Sequence, residues 1–133
     1  MTREDVYKEV EKMLGFVPGF LKRLPEDTLA SEWQLFRRLR FEEGRIPPKY
    51  RALIGLALAS VEKSRYHVYA TSRFARRLGA TDEEIEEAIH YAKHMSGWAT
   101  YIEGLQPDFE EYKSEVDRAI ENVARRIERK RAA

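Results

Sequence analysis

A chain of 133 residues is the usual size of a single domain and is long enough to build one hydrophobic core without disulfide or metal staples. Its 24 Lys and Arg nearly cancel its 23 Asp and Glu, and the two signs are interleaved, so no broad basic face for nucleic acid is expected. There is no cysteine, which removes disulfides and thiol chemistry, and no apolar run approaches the ~20 residues needed to span a bilayer.

The periodicity is helical nearly everywhere, and turn signals between alternating apolar runs are missing, which predicts one all-α domain over residues 1–133. The polar, acidic start "MTREDVYKEV" does not read as a signal peptide, so a cytoplasmic protein with no membrane partner is expected. Residues 3–14 form an amphipathic helix with Val6, Val10 and Leu14 inward, closed by Gly15. "VPGFLKRLP" is then a brief helical turn between Pro18 and Pro25. A helix from about Glu26 to Phe41 directs Leu29, Trp33, Phe36 and Leu39 to the core, and "EEG" ends it.

Pro47 and Pro48 open the fourth helix, because proline is tolerated in the first turn, where its missing N–H is not needed. That helix, "KYRALIGLALASVEK", is apolar almost all round, the mark of a central helix or a subunit interface, and Gly55, Ala57 and Ala59 leave room for close backbone approach. The fifth helix covers about Arg65 to Leu78 and stops at Gly79. In "TDEE", Thr81 is the expected N-cap and Glu84 its N3 partner in a capping box. The sixth helix should run over about 82–95 with Ile85, Ala88, Ile89 and Ala92 inward. Gly97 and Gly104 should punctuate the stretch after it, and Pro107 should open a last helix to about Arg129. That helix carries Phe109, Tyr112, Val116, Ile120, Val123 and Ile127 along one face.

The segments "IPPKYR", "RRLGATDEEIEEAIHYAKH" and "GWATYIEGLQ", with the sequence around them, resemble the alkyl hydroperoxidase D-like branch of the carboxymuconolactone decarboxylase family over most of the chain. The resemblance implies an all-α bundle that assembles as a homotrimer, or as a hexamer built from trimers. It also implies a site: Cys-x-x-Cys-x-x-x-His at the start of the fifth helix, with a Glu twelve positions before the first Cys. A helix N-terminus lowers a thiol pKa, and a nearby His and Glu relay the proton. Placed on this chain, the Glu position is Ala52, the two Cys positions are Ser64 and His67, and the His position is Thr71. All four are replaced. Lactone decarboxylases of the family do without the cysteines but keep the His, so that activity is not implied either.

Serine does not form a disulfide or ionise near neutral pH, so thiol-dependent peroxide reduction is not expected. Two readings of the altered site stay open. In the first, the chain is a family member without redox activity, a binding or structural protein in which Ser64 is the N-cap of the fifth helix and His67 its N3 residue, both filling space left by the cysteines. In the second, Ser64, His67 and Thr71 stack on one helix face, and His67 deprotonates Ser64 for attack on an activated ester in a pocket opened by Ala52 and Thr71. Glu62, Asp82 and Glu86 are the candidates to orient the imidazole. Four convergent changes in otherwise preserved helices have the pattern of a targeted change, whether natural refunctionalisation or laboratory redesign.

His90 and His94, spaced i and i+4, could join His67 around Zn²⁺ or Cu²⁺, but no carboxylate or Cys completes a recognised ligand pattern, so no metal and no other cofactor is expected. A small-molecule ligand is the expected partner besides the chain itself. Asn122, Gln34 and Gln106 are the only side-chain amides in a chain rich in Glu, Arg and Lys, a composition that predicts a thermophilic scaffold with a melting midpoint above the mesophile range.

Overall fold

The computed structural model describes all 133 residues. Seven helices and no strands make it all-α: α1 (Arg3–Leu14), α2 (Gly19–Lys22), α3 (Glu26–Phe41), α4 (Pro48–Glu62), α5 (Arg65–Arg77), α6 (Asp82–Leu105) and α7 (Phe109–Ala132). No helix is long and apolar enough to cross a membrane. The chain divides into two compact units, Met1–Ile89 and His90–Ala133, so the division falls within α6.

In the first unit, local signals set the helix ends. Thr2 and Asp5 exchange side-chain and backbone hydrogen bonds at the start of α1, and those bonds lower the Asp5 pKa. Gly15, at φ 84°, closes the helix in the left-handed conformation that glycine adopts without a Cβ clash. Val6, Val10, Val17, Leu21, Leu29 and Trp33 then form one buried cluster among α1, α2 and α3. Leu39, expected in that core, is 54% exposed. It lies in the last turn of α3 and lines a cleft instead.

A second cluster, Ala52, Leu56, Ala75, Ala80 and Ile85, joins α4, α5 and the start of α6. Small residues allow the α4–α5 pair to approach closely: a Cβ on Gly55 would stand 3.2 Å from Thr71 Cγ2, tighter than ordinary van der Waals contact. Only one side of α4 is buried. Tyr50, Ile54, Leu58 and Val61 are exposed, so its all-round apolar character serves the core on one face and leaves a bare apolar ridge on the other. An aromatic series runs from Trp33 through Phe36 and Phe41 to Phe74, with centroid separations of 5.9, 5.9 and 5.3 Å, and ties the two clusters together.

The capping box at Thr81 and Glu84 forms as the spacing predicts, with Thr81 N–H donating to Glu84 Oε1 at 3.0 Å and Glu84 N–H to Thr81 Oγ1 at 3.1 Å. Glu84 also meets Lys49 Nζ at 3.0 Å, which fastens the start of α6 to the start of α4. The cap and the ion pair lower the Glu84 pKa, and the bond to Glu84 raises that of Lys49.

The sixth helix is longer than its sequence suggested. It passes through Gly97 and Gly104 and ends at Leu105. An isolated glycine costs a helix roughly 1 kcal/mol relative to alanine but does not remove a hydrogen bond, so it does not end one whose neighbours are helix-compatible. The stop comes from Gln106, at φ 48°, followed by Pro107. Pro107 is outside α7; Asp108 is the N-cap, its Oδ2 accepting from Glu111 N–H at 2.9 Å.

Candidate functional site

The C-terminal turn of α3 packs beside α4 and α5 around a cleft of about 500 Å³. Its walls are mostly carbon: Leu14, Leu39, Phe41, Pro48, Ala52, Gly55, Leu58, Ala59, Ala70 and Phe74. The polar lining consists of Arg40, Arg51, Glu62, His67 and Thr71. Three of the four positions marked by the family resemblance, Ala52, His67 and Thr71, therefore line one space.

Ser64 is placed differently. Lys63, at φ 57°, ends α4 in the left-handed region, and Ser64 begins α5 as its N-cap, its Oγ accepting from the His67 backbone N–H at 3.3 Å. Ser64 is absent from the cleft lining, and no hydrogen bond joins its hydroxyl to the His67 ring. Thr71 turns its hydroxyl back to the His67 carbonyl oxygen, which leaves its methyl group for the seam with Gly55.

The two arginines were missed by the sequence reading, and they differ in role. The Arg51 guanidinium reaches from α4 to the carbonyl oxygens of Leu39 and Glu42, and to that of Arg38 at 3.3 Å. Three unpaired carbonyls at the end of α3 are thus satisfied by one cation, where the helix dipole favours positive charge. Arg40 has no carboxylate partner. Its guanidinium lies over the Phe36 ring at 4.2 Å, and partial burial lowers its pKa from the ordinary arginine value. Arg51 could have been suspected from its place one residue before Ala52; nothing in the local pattern of Arg40 separates it from a solvated helix charge.

The second unit holds the other two histidines. His90, Lys93, His94, Gly97, Trp98 and Tyr101 line a shallow depression along α6, and the His94 ring is flanked by Tyr91 and Trp98 at 6.1 and 6.4 Å. No group of three or more His, Asp or Glu side chains that could hold a metal ion is found. An i, i+4 pair supplies two donors, one fewer than the smallest catalytic zinc set.

Comparison with curated proteins finds no match. Among solved structures, the chain is similar to the AhpD alkylhydroperoxidase core from Rhodospirillum rubrum ATCC 11170, with a TM-score of 0.69 and 20% identity over 82% of this chain and 84% of that one. It is also similar to a candidate carboxymuconolactone decarboxylase from Burkholderia xenovorans LB400, with a TM-score of 0.58 and 19% identity over 71% of this chain and 75% of that one. Those likenesses establish the fold. The family model for the carboxymuconolactone decarboxylase family matches residues 28–107, which include every residue of the cleft except Leu14, and on that match the chain belongs to this family as a member without cysteine.

Proposed function

We propose that the protein is a non-redox member of its family that binds a small, mainly apolar molecule in the cleft between α3, α4 and α5. The observation that carries this reading is the cleft itself: about 500 Å³ of largely apolar space, lined in part by Gly55 and Ala52, in a chain with no thiol to do redox chemistry. Such a volume lies within the usual range for small-molecule sites. Arg40, unpaired and partly dehydrated, gives an anionic group on the ligand a partner at one end.

The test uses an anilinonaphthalene sulfonate, an apolar fluorophore with one anionic group. Saturable binding at one site per chain is expected, with large losses in Gly55→Leu, which fills the cleft, and a smaller loss in Arg40→Gln. Non-saturable binding that ignores Gly55→Leu would defeat the reading. In parallel, peroxide consumption in the presence of a dithiol should not exceed the rate without protein.

Ester hydrolysis by Ser64 with His67 as base has weaker support. His67 lines the cleft, but the Ser64 hydroxyl is engaged as a helix cap and stands outside the lining. A fluorophosphonate adduct on Ser64 that disappears in Ser64→Ala and falls sharply in His67→Ala would restore hydrolysis to first place.

A further inference from the structure

α7 is a 24-residue helix that buries none of its residues, and within its own unit no packed seam joins it to α6. Its apolar residues are nevertheless ordered. Phe109, Tyr112, Val116, Ile120, Val123 and Ile127 recur at the helical period over about five turns, or roughly 27 Å. Phe109, Ile120, Val123 and Ile127 are 68%, 58%, 56% and 46% exposed. Scattered exposed hydrophobics need no explanation, but a continuous stripe of this length marks a contact surface.

The charges choose the occupant. The first half of the helix is mainly acidic, with Glu110, Glu111, Glu115 and Asp117, and the last turns are basic, with Arg126 and Arg131 among others. Dipole complementarity accounts for charges in the first and last turns only. Glu115 and Arg126 lie a turn further in from either end. Such a helix complements a copy of itself when the two run antiparallel, whereas a parallel pair sets acid against acid. The acidic half also opposes docking on an anionic bilayer, which attracts amphipathic helices with a basic polar face.

We propose that α7 pairs antiparallel with α7 of a second copy of this chain about a twofold axis beside Ile120. In that register Val116 meets the partner's Val123 and Tyr112 meets the partner's Ile127. Along the two edges of the stripe, Glu115 comes opposite the partner's Arg126, and Lys113 opposite the partner's Glu128. Glu110, which pairs with Lys113 at 3.3 Å within the chain, comes opposite the partner's Arg131. The contact is isologous: each pairing occurs twice. Edge charges at exposed positions fix direction and register, and the apolar stripe supplies the adhesion.

The absence of cysteine makes the register directly measurable in the full chain, because each introduced thiol is the only one present. Ile120→Cys should form a disulfide-linked pair under mild oxidation. Tyr112→Cys alone should not, but Tyr112→Cys mixed with Ile127→Cys should cross-link. By sedimentation, Val116→Glu combined with Val123→Glu should weaken association at least tenfold with the helical circular dichroism retained. Glu115→Arg should weaken it less, and adding Arg126→Glu should restore it. Failure of Ile120→Cys to cross-link, or self-linking of Tyr112→Cys as readily as Ile120→Cys, overturns the proposal. So does flotation of the unmodified chain with phosphatidylserine vesicles that is lost in the Val116/Val123 variant, which would assign the stripe to a membrane.

Discussion

Residues 1–89 and residues 90–133 are both predominantly helical, but they use their apolar side chains in opposite ways. The first unit holds two buried clusters, centred on Trp33 and on Leu56, both fully shielded from solvent. In the second, Ala92 is the only buried hydrophobic residue, while Trp98, Tyr101, Leu105, Phe109, Ile120 and Val123 are all more than half exposed. The same amphipathic pattern therefore means a core in one place and an outward-facing surface in the other. Periodicity shows that a helix has an apolar face; it does not show whether that face is met by the same chain.

Hydrogen exchange sharpens the contrast most. Amides of α4 and α5 should be protected at any protein concentration, whereas those of α7 should exchange readily in dilute solution and slow as concentration rises, if its face is covered only by association. Among substitutions, the largest effect should come from Leu56→Ala, which opens a cavity at a fully buried site and should cost about 2–5 kcal/mol by urea unfolding. Ile120→Ala, equally apolar but 58% exposed, should leave unfolding of a dilute sample nearly unchanged. Equal losses for the two would dissolve the distinction between the units.

Next in size, Gly55→Leu should destabilise by about 1–3 kcal/mol, because the Cβ of a side chain that fills the cleft also crowds Thr71 across the α4–α5 seam. Thr81→Ala should cost about 1 kcal/mol by removing the cap of α6. The smallest effect is electrostatic. The Glu84 carboxyl titrates below its ordinary value in the folded chain, so its contribution is present above the unfolded pKa and lost as pH falls through the folded one. Lys49 is raised, so its share is complete below the unfolded lysine pKa and lost as pH rises through the folded one. Glu84→Gln, which keeps a capping side chain, should therefore lower the urea midpoint slightly at neutral pH and make no difference in strong acid.

The helix ends that were legible in sequence are those with local chemical causes: Gly15, Gly79 and the Thr81/Glu84 box act within a few residues of chain. The end of α6 was misread because glycine weakens a helix without ending it, and the true stop depends on Gln106 and Pro107 together. Of the positions that the family resemblance marked, Ala52, His67 and Thr71 line one cleft and Ser64 does not. The arginines of that cleft were not anticipated, since the carbonyls that hold Arg51 belong to another helix, and the ring under Arg40 lies four residues back among many helix charges. Nor was the partner of Glu84, Lys49, which is distant in sequence and adjacent only once α4 and α6 are placed.

The junction of α4 and α5 is only Lys63 and Ser64, one left-handed residue and one cap. So short a joint works as a phase setting. Each residue added to or removed from it would turn α5 by about 100° relative to α4, carrying His67 and Thr71 away from the cleft and swinging exposed residues such as Tyr69 or Arg73 towards it. Chain length at this one corner, more than the identity of any lining residue, would then decide which chemistry the cleft is offered.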